Sequence, residues 1–111
     1  MSLASLLTDR FKTRTRGVEY PQGVAALGVA PAIVLGSNPN RLGWTIVNLS
    51  ANLVYLAKTN AVAATRGILL EANGGVASSA WDTDFNCVAD EVWGLASGAA
   101  SAIYAFEVIE Y

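Results

Sequence analysis

Residues 38–57, NPNRLGWTIVNLSANLVYLA, decide the fold of this chain. Pro39 fixes its own φ angle, and the side chains of Asn38 and Asn40 can hydrogen-bond the local backbone, so the stretch opens with a predicted turn. Two runs rich in β-branched and aromatic residues follow, WTIVNL and LVYLA, and three small or polar residues separate them. This pattern predicts a β-hairpin. Because both faces of the first run, residues 44–49, are largely apolar, we expect that strand to be central in its sheet.

The same alternation of short apolar runs and turn residues continues along most of the chain. Further strands are predicted at residues 29–36, 68–72, 92–96 and 102–111. Directly after the second of these runs, Asn73-Gly74-Gly75 offers the positive φ angles that tight hairpins need. Turn signals recurring about every 8–12 residues are typical of sandwiches and barrels. The sequence therefore predicts one all-β domain, an antiparallel β-sandwich or jelly-roll-like barrel of about seven to eight short strands.

The first 16 residues, MSLASLLTDRFKTRTR, differ from the rest and form a predicted N-terminal arm. Leucines and a phenylalanine recur at helical spacing, so the arm is expected to be a short helix or disordered. This sequence is compatible with a frayed terminus and also with an arm that docks on a neighbouring protein. Nucleic-acid binding by its four basic residues is disfavoured because no surface of basic and aromatic residues supports it. Residues 17–28 predict an extended connector, and residues 17–111 form the β-domain.

The composition favours an oligomer. Hydrophobic residues make up 53% of the chain and charged residues only 14%, against about 25% in ordinary domains. A core of this size cannot hide all of that apolar surface, so part of it is expected to face another subunit. Charge is also divided: residues 1–66 hold seven bases and two acids, whereas residues 67–111 hold seven acids and no base. The division can orient one subunit against another, and it also fits chance in a charge-poor chain.

The residue types argue against enzymatic chemistry. The chain has no histidine, which removes Ser-His-Asp and Cys-His arrangements, and it has no phosphate-binding glycine motif. We expect no enzyme activity and no cofactor. The weak candidates for a calcium site are Asp82, Asp84 and Asp90, for which a solvated acidic loop is the favoured interpretation. The single Cys87 is predicted to be a buried free thiol. No apolar run reaches about 18 residues, so no contact with a membrane is expected.

The aromatic residues keep a second function class open. Three tryptophans and four tyrosines could form a sugar-stacking platform, as in carbohydrate-binding modules. Trp44 and Trp93 lie inside predicted strands, which favours core packing or a subunit interface for both. Trp81 lies beside a polar loop and is the candidate ligand contact. A carbohydrate- or ligand-binding β-sandwich module is therefore the alternative function.

Four segments together resemble a pattern in small structural proteins of tailed bacteriophages: NPNRLGWTIVNLSANLVYLA, RGILLEANGG, EVWGLASG and IYAFEVIE. In that pattern an N-x-N-R turn precedes a strand ending in I-x-N-x-S. A strand with V/I-Y-L, a G-I-L-L segment with a glycine-rich turn, an aromatic strand and a closing strand ending in V-I-E follow. The resemblance covers residues 38–110, so it leaves the arm out.

The resemblance implies a non-enzymatic virion component: a capsid decoration protein, a head fibre, a spike, or a tail or baseplate module. Such proteins are commonly homotrimers, assembled in the host cytoplasm and located in the virion. Other virion proteins are the expected partners, contacted through the arm. The resemblance also implies a structural role for a set of turn and strand residues, namely Asn38, Asn40, Arg41, Asn48, Ser50, Tyr55, Gly67, Gly74, Gly75, Trp93 and Gly98. Within this set we expect Asn40 to bond the turn backbone and Arg41 to pair with an acid from residues 67–111, where seven of the nine acids lie.

Overall fold

The computed structural model describes residues 2–21 and 25–111. Met1 of the predicted arm and residues 22–24 of the predicted connector lie outside the described residues. The helices are α1 (Leu3–Phe11), α2 (Trp81–Asp84) and a 3-10 helix at Phe85–Ala89. The strands are β1 (Thr15–Glu19), β2 (Ala26–Leu27), β3 (Ala32–Leu35), β4 (Arg41–Asn48), β5 (Val54–Ala57), β6 (Ile68–Leu70), β7 (Val76–Ala80), β8 (Val92–Ala96) and β9 (Ser101–Glu110).

These strands form two antiparallel sheets. The first sheet has the order β1-β9-β4-β7, and the short β2 also pairs with β9. The second sheet has the order β3-β8-β5-β6. The described strands contain no pairing that joins the two sheets into a closed barrel. The predicted all-β sandwich is thus confirmed, and strand β4 is central in its sheet as predicted.

The connections between strands correct the predicted hairpins. Strands β4 and β5, expected to pair, lie in different sheets, and the segment between them crosses from one sheet to the other. Strands β6 and β7, on either side of Asn73-Gly74-Gly75, also lie in different sheets. With β2 set aside, only β5 and β6 are consecutive strands that pair with each other. This alternation between two four-stranded sheets is the strand order of a double-sheet jelly roll.

The core lies between the inner faces of the two sheets. In β5 and β8 buried and half-buried residues alternate, which is the period-two pattern of a strand with one face in the core. Largest among the fully buried apolar side chains are Leu27, Leu35, Ile46, Leu56, Leu70 and Ile103. Helix α1 contacts the outside of the first sheet.

Helix α1 begins after Ser2, whose Oγ accepts a hydrogen bond from the backbone N–H of Ser5 at 3.1 Å. It ends at Lys12, which adopts the left-handed conformation with φ 61°. No residue of α1 is buried. The predicted arm extended to residue 16, but β1 begins at Thr15 and pairs with β9. The polar sequence Thr15–Glu19 gives little strand signal of its own, so this pairing makes it a strand.

The acidic segment after β7 is helical rather than an irregular loop. Helix α2 starts at Trp81, and the 3-10 helix follows at once. The carboxylate of Asp84 accepts hydrogen bonds from Ser79 Oγ at 2.9 Å and from the backbone N–H of Ala80 at 3.0 Å. These bonds fix the point where the chain leaves the first sheet, so a side chain predicted as a metal candidate has a local structural role.

Candidate functional site

The outer surface of the second sheet is apolar throughout. Strand alternation turns the same set of positions outward on all four strands, and the registers Ile33↔Trp93 and Tyr55↔Leu95 place them side by side. We call this set the outer apolar face; it consists of Ile33, Tyr55, Ala57, Leu69, Trp93 and Leu95. It holds no charged side chain. Leu69 is exposed, and the other five members of the face are half-buried.

One charged group borders the outer apolar face. Glu91 precedes β8, and its Oε1 accepts a hydrogen bond from the indole N–H of Trp93 at 3.0 Å. This bond satisfies the polar atom of the tryptophan and leaves its ring available for packing. Tyr55 and Trp93, which the resemblance placed in the structural framework, therefore lie on a surface. The sequence signal for this face was the apolar character of both sides of β5 and β8, with no charged residue on either.

The exposed apolar side chains continue from this face to one edge of the sandwich. Leu69 on β6 is 47% exposed, and Val76 on β7 is 57% exposed. Strands β6 and β7 are the edge strands of their sheets and lie on the same side of the molecule. Exposed apolar patches of this kind are typical of contacts between proteins.

Arg41 connects four parts of the fold in the interior. Its Nε donates to Glu107 on β9, and both side chains are almost fully buried. Its remaining N–H groups donate to the backbone carbonyls of Gly36, Val88 and Asp90. Arg41 thus has the acidic partner from residues 67–111 that the sequence predicted.

Of the two asparagines predicted to bond the turn before Arg41, only Asn38 does so through its side chain among the described residues. Asn38 Oδ1 accepts a hydrogen bond from the backbone N–H of Asn40 at 2.9 Å. Asn40 contributes through its backbone, since its carbonyl accepts from the N–H of Glu110 at 2.9 Å. The side chain of Asn40 is exposed and makes none of the turn's bonds among the described residues.

Asn48 is fully buried where the chain crosses from β4 to β5. Its Nδ2 donates to the carbonyls of Asn52, Leu70 and Glu71 at 2.7–3.2 Å. Its Oδ1 accepts from the N–H and the hydroxyl of Ser50. The amide therefore ties two crossings between the sheets together. The backbone N–H of Gly74 also donates to the carbonyl of Asn48 at 2.7 Å.

A cleft of about 420 Å³ opens at one end of the sandwich. Apolar side chains form much of its wall, among them Trp44, Leu56, Ile68 and Val92. The indole N–H of Trp44 is buried and has no hydrogen-bond acceptor among the described residues. Buried donors are nearly always paired, so this indole N–H is an exception within the core.

Polar groups stand at the mouth of the cleft. Lys58 Nζ lies 3.1 Å from Asp90 Oδ2 and 3.0 Å from Cys87 Sγ. Hydrogen bonds to Cys87 and Asp90 raise the pKa of Lys58 above its ordinary value of 10.5. The prediction of a buried thiol was wrong: Cys87 is exposed, because the 3-10 helix turns only Val88 into the core.

The three acidic metal candidates are not brought together. Asp84 is engaged by Ser79 and Ala80, and Asp90 is paired with Lys58. Among the described residues no three carboxylate or thiol side chains are grouped as a metal site. The hydrogen bonds from Ala80 and Ser79 hold the pKa of Asp84 below its ordinary value of 3.8.

Residues of the arm cover part of the side chain of Trp81, the predicted ligand contact. The ring of Phe11 meets Trp81 edge to face at 5.6 Å, and the guanidinium of Arg10 lies 5.3 Å from the centre of the Trp81 ring. Trp81 is still 39% exposed. Its first role is therefore to seat α1 against the sandwich.

None of the described helices is long and apolar enough to cross a bilayer. Comparisons of this chain with protein-family models, with curated proteins and with solved structures find no match. The outer apolar face and the cleft, with the sequence resemblance, are therefore the grounds for a functional proposal.

Proposed function

We propose that this protein is a non-enzymatic structural component of a tailed-bacteriophage virion, assembled as a homotrimer. The observation that carries the proposal is the outer apolar face, a whole sheet surface without a charged side chain. A surface of this kind is a liability in a lone chain and is expected where subunits pack together. The jelly-roll strand order, which recurs in viral capsid domains, and the resemblance of residues 38–110 support the same conclusion.

The proposal places this chain on the particle as a capsid decoration, head-fibre or spike component. Its partners on the particle are other virion proteins. The protein itself needs no cofactor for this role. Its localisation would be the assembled virion, after assembly in the host cytoplasm.

Two measurements test the proposal. Light scattering is expected to give three times the single-chain mass of 11.6 kDa at micromolar concentration. Leu69→Lys should lower that mass, whereas Phe85→Lys should not, because Phe85 is 77% exposed but lies on the 3-10 helix away from the outer apolar face. The chain should also copurify with phage particles through a density gradient at a fixed copy number. A monomer, or particles without the chain, would contradict the proposal.

The cleft favours one second candidate, a ligand-binding module. Apolar clefts with a few converging polar groups are typical of small-ligand sites. The probes are N-acetylglucosamine and galactose, whose hydroxyl groups can hydrogen-bond Lys58 and Asp90 in the cleft wall. Binding should shift the indole N–H resonance of Trp44, which lines the cleft, in a saturable way, and Lys58→Ala should weaken binding. No saturable shift at tens of millimolar sugar would exclude this function for these sugars.

A further inference from the structure

Helix α1 carries one broad apolar side, and only part of it is used within the chain. Leu7 and Phe11 lie against the outside of the first sheet, where they line a shallow hollow with Leu42, Trp81 and Val108. Leu3 and Leu6, on the same broad side, are 69% and 51% exposed. These two leucines therefore remain available for a contact outside the chain.

The outer apolar face lies on the opposite side of the sandwich from α1. The helix rests outside the first sheet, whereas this face is the outside of the second sheet. The helix of a chain therefore cannot cover the outer apolar face of its own chain. A second copy placed front to back can, because α1 then lies between the first sheet of one copy and the second sheet of the next.

Charge also favours the front-to-back contact. The arm carries four bases and one acid, whereas residues 82–91 carry four acids. One of those acids, Glu91, borders the outer apolar face beside Trp93. Arg10 lies four residues after Leu6 and thus on the same side of α1, so α1 placed on this face of a neighbour can bring Arg10 to Glu91, whereas two copies of the face would bring their Glu91 residues together.

We propose that α1 of one copy packs through Leu3 and Leu6 on the outer apolar face of a second copy, in a head-to-tail contact. Contacts of this type close into rings when the rotation between copies allows it. The inference rests on the proposed homo-oligomer and specifies which two surfaces form it.

A mixing experiment tests the pairing of these surfaces. The arm variant Leu3→Gln/Leu6→Gln keeps good helix formers in α1, and the face variant Leu69→Lys/Leu95→Lys keeps the arm. Each alone should be a monomer by light scattering at about 20 μM, with circular dichroism of the wild type as the control for folding. An equal mixture should give a species of twice the monomer mass, because one intact arm can still meet one intact face.

The other outcomes overturn the inference. An arm variant that keeps the wild-type mass means that the faces pair with each other, and the homo-oligomer then survives without arm docking. A mixture that stays monomeric, or a wild-type protein that is monomeric, also overturns it. If mixing restores the dimer but phage particles lack the chain, the inference holds and the virion role fails.

A covalent readout locates the contact directly. In a Cys87→Ser background, which removes the only native thiol, Leu6→Cys mixed with Leu95→Cys should oxidise to a disulfide-linked dimer. Phe85→Cys mixed with Leu6→Cys is the matched control with an exposed thiol elsewhere. Equal cross-linking in both mixtures would contradict the proposed contact.

Discussion

At the scale of single residues, the Arg41–Glu107 pair places two opposite charges in the interior of the fold. The two side chains are 1% and 4% exposed, so neither charge is compensated by water. The pair joins β4 to β9, and the other guanidinium bonds reach the turn at Gly36 and the segment before β8. Its position depends on the bulge between Arg41 and Gly43, where the β4–β9 register shifts.

Arg41→Ala is expected to lower the free energy of unfolding by about 3–5 kcal/mol, because it leaves Glu107 buried without a counter-ion. Urea denaturation measures the change. Lys12→Ala is the matched control: it removes an ion pair with Asp9 whose side chains are 79% and 75% exposed, and should cost about 0–1 kcal/mol. Equal stability of the two variants would show that the buried pair does not hold these elements together.

Asp84 makes a pH-dependent contribution to stability. Its folded pKa is lowered by hydrogen bonds from Ala80, Ser79 and Thr83, so the ionised form favours the folded state. This contribution is fully present above the ordinary pKa of 3.8 and is lost as the pH falls through the lowered folded value. The wild type should lose stability below about pH 4 more steeply than Asp84→Asn in urea titrations. Parallel curves for the two proteins would mean that Asp84 is not linked to folding.

At the scale of elements, the sequence predicted strands well and their pairing poorly. Runs such as WTIVNL and VWGLA have a strong β signal, and both are strands. The connections were taken for hairpins because a turn motif such as Asn73-Gly74-Gly75 has the same local chemistry whether the chain returns to the same sheet or crosses to the other. What selects the crossing here is the buried amide of Asn48, whose bonds to Leu70 and Glu71 span two connections.

The candidate surfaces were only partly accessible to sequence reasoning. Alternation in β5 and β8 shows two apolar sides but not which one faces a neighbouring sheet. The acid that pairs with Arg41 could be placed in residues 67–111, but choosing Glu107 needed the register of β9. The cleft depends on how separate segments meet at the end of the sandwich, and no local pattern encodes that meeting.

The crossing between β6 and β7 should be sensitive to a single methyl group. A Cβ at Gly75 would overlap the backbone nitrogen and oxygen of Glu71, so the backbone must shift. We expect Gly75→Ala to cost roughly 1–3 kcal/mol. Gly28→Ala is the control, because a Cβ there meets nothing within 4 Å, and its change should stay within about 0.5 kcal/mol. A neutral Gly75→Ala in chemical denaturation would mean that this crossing adapts.

At the scale of the whole molecule, the sandwich buries apolar side chains in its core, whereas α1 of the arm buries none of its own residues. The sandwich hides one side of each sheet. The longest dimension of the whole molecule, 46 Å, is about twice the other two, 23 and 22 Å. The helix extends the molecule without burying any of its own residues. An elongated unit with an uncovered sheet on one side and an unburied helix on the other is suited to repetition in a head-to-tail assembly.

Varying the salt concentration should distinguish apolar burial from charge attraction in the proposed assembly. If the contact is mainly the outer apolar face, raising the salt concentration from about 0.05 M to 1 M leaves the light-scattering mass unchanged, because apolar burial is not screened. The charges of the arm and of residues 82–91 then affect only the rate at which two copies associate. Because salt screens these charges, the association rate after dilution should fall as the salt concentration rises from about 0.05 M to 1 M. Arg14→Ala, which removes an arm charge and no apolar residue, should slow association at low salt and match the wild type at 1 M. Dissociation of the wild type by salt would instead assign the assembly to charge pairing and would contradict a contact centred on this sheet.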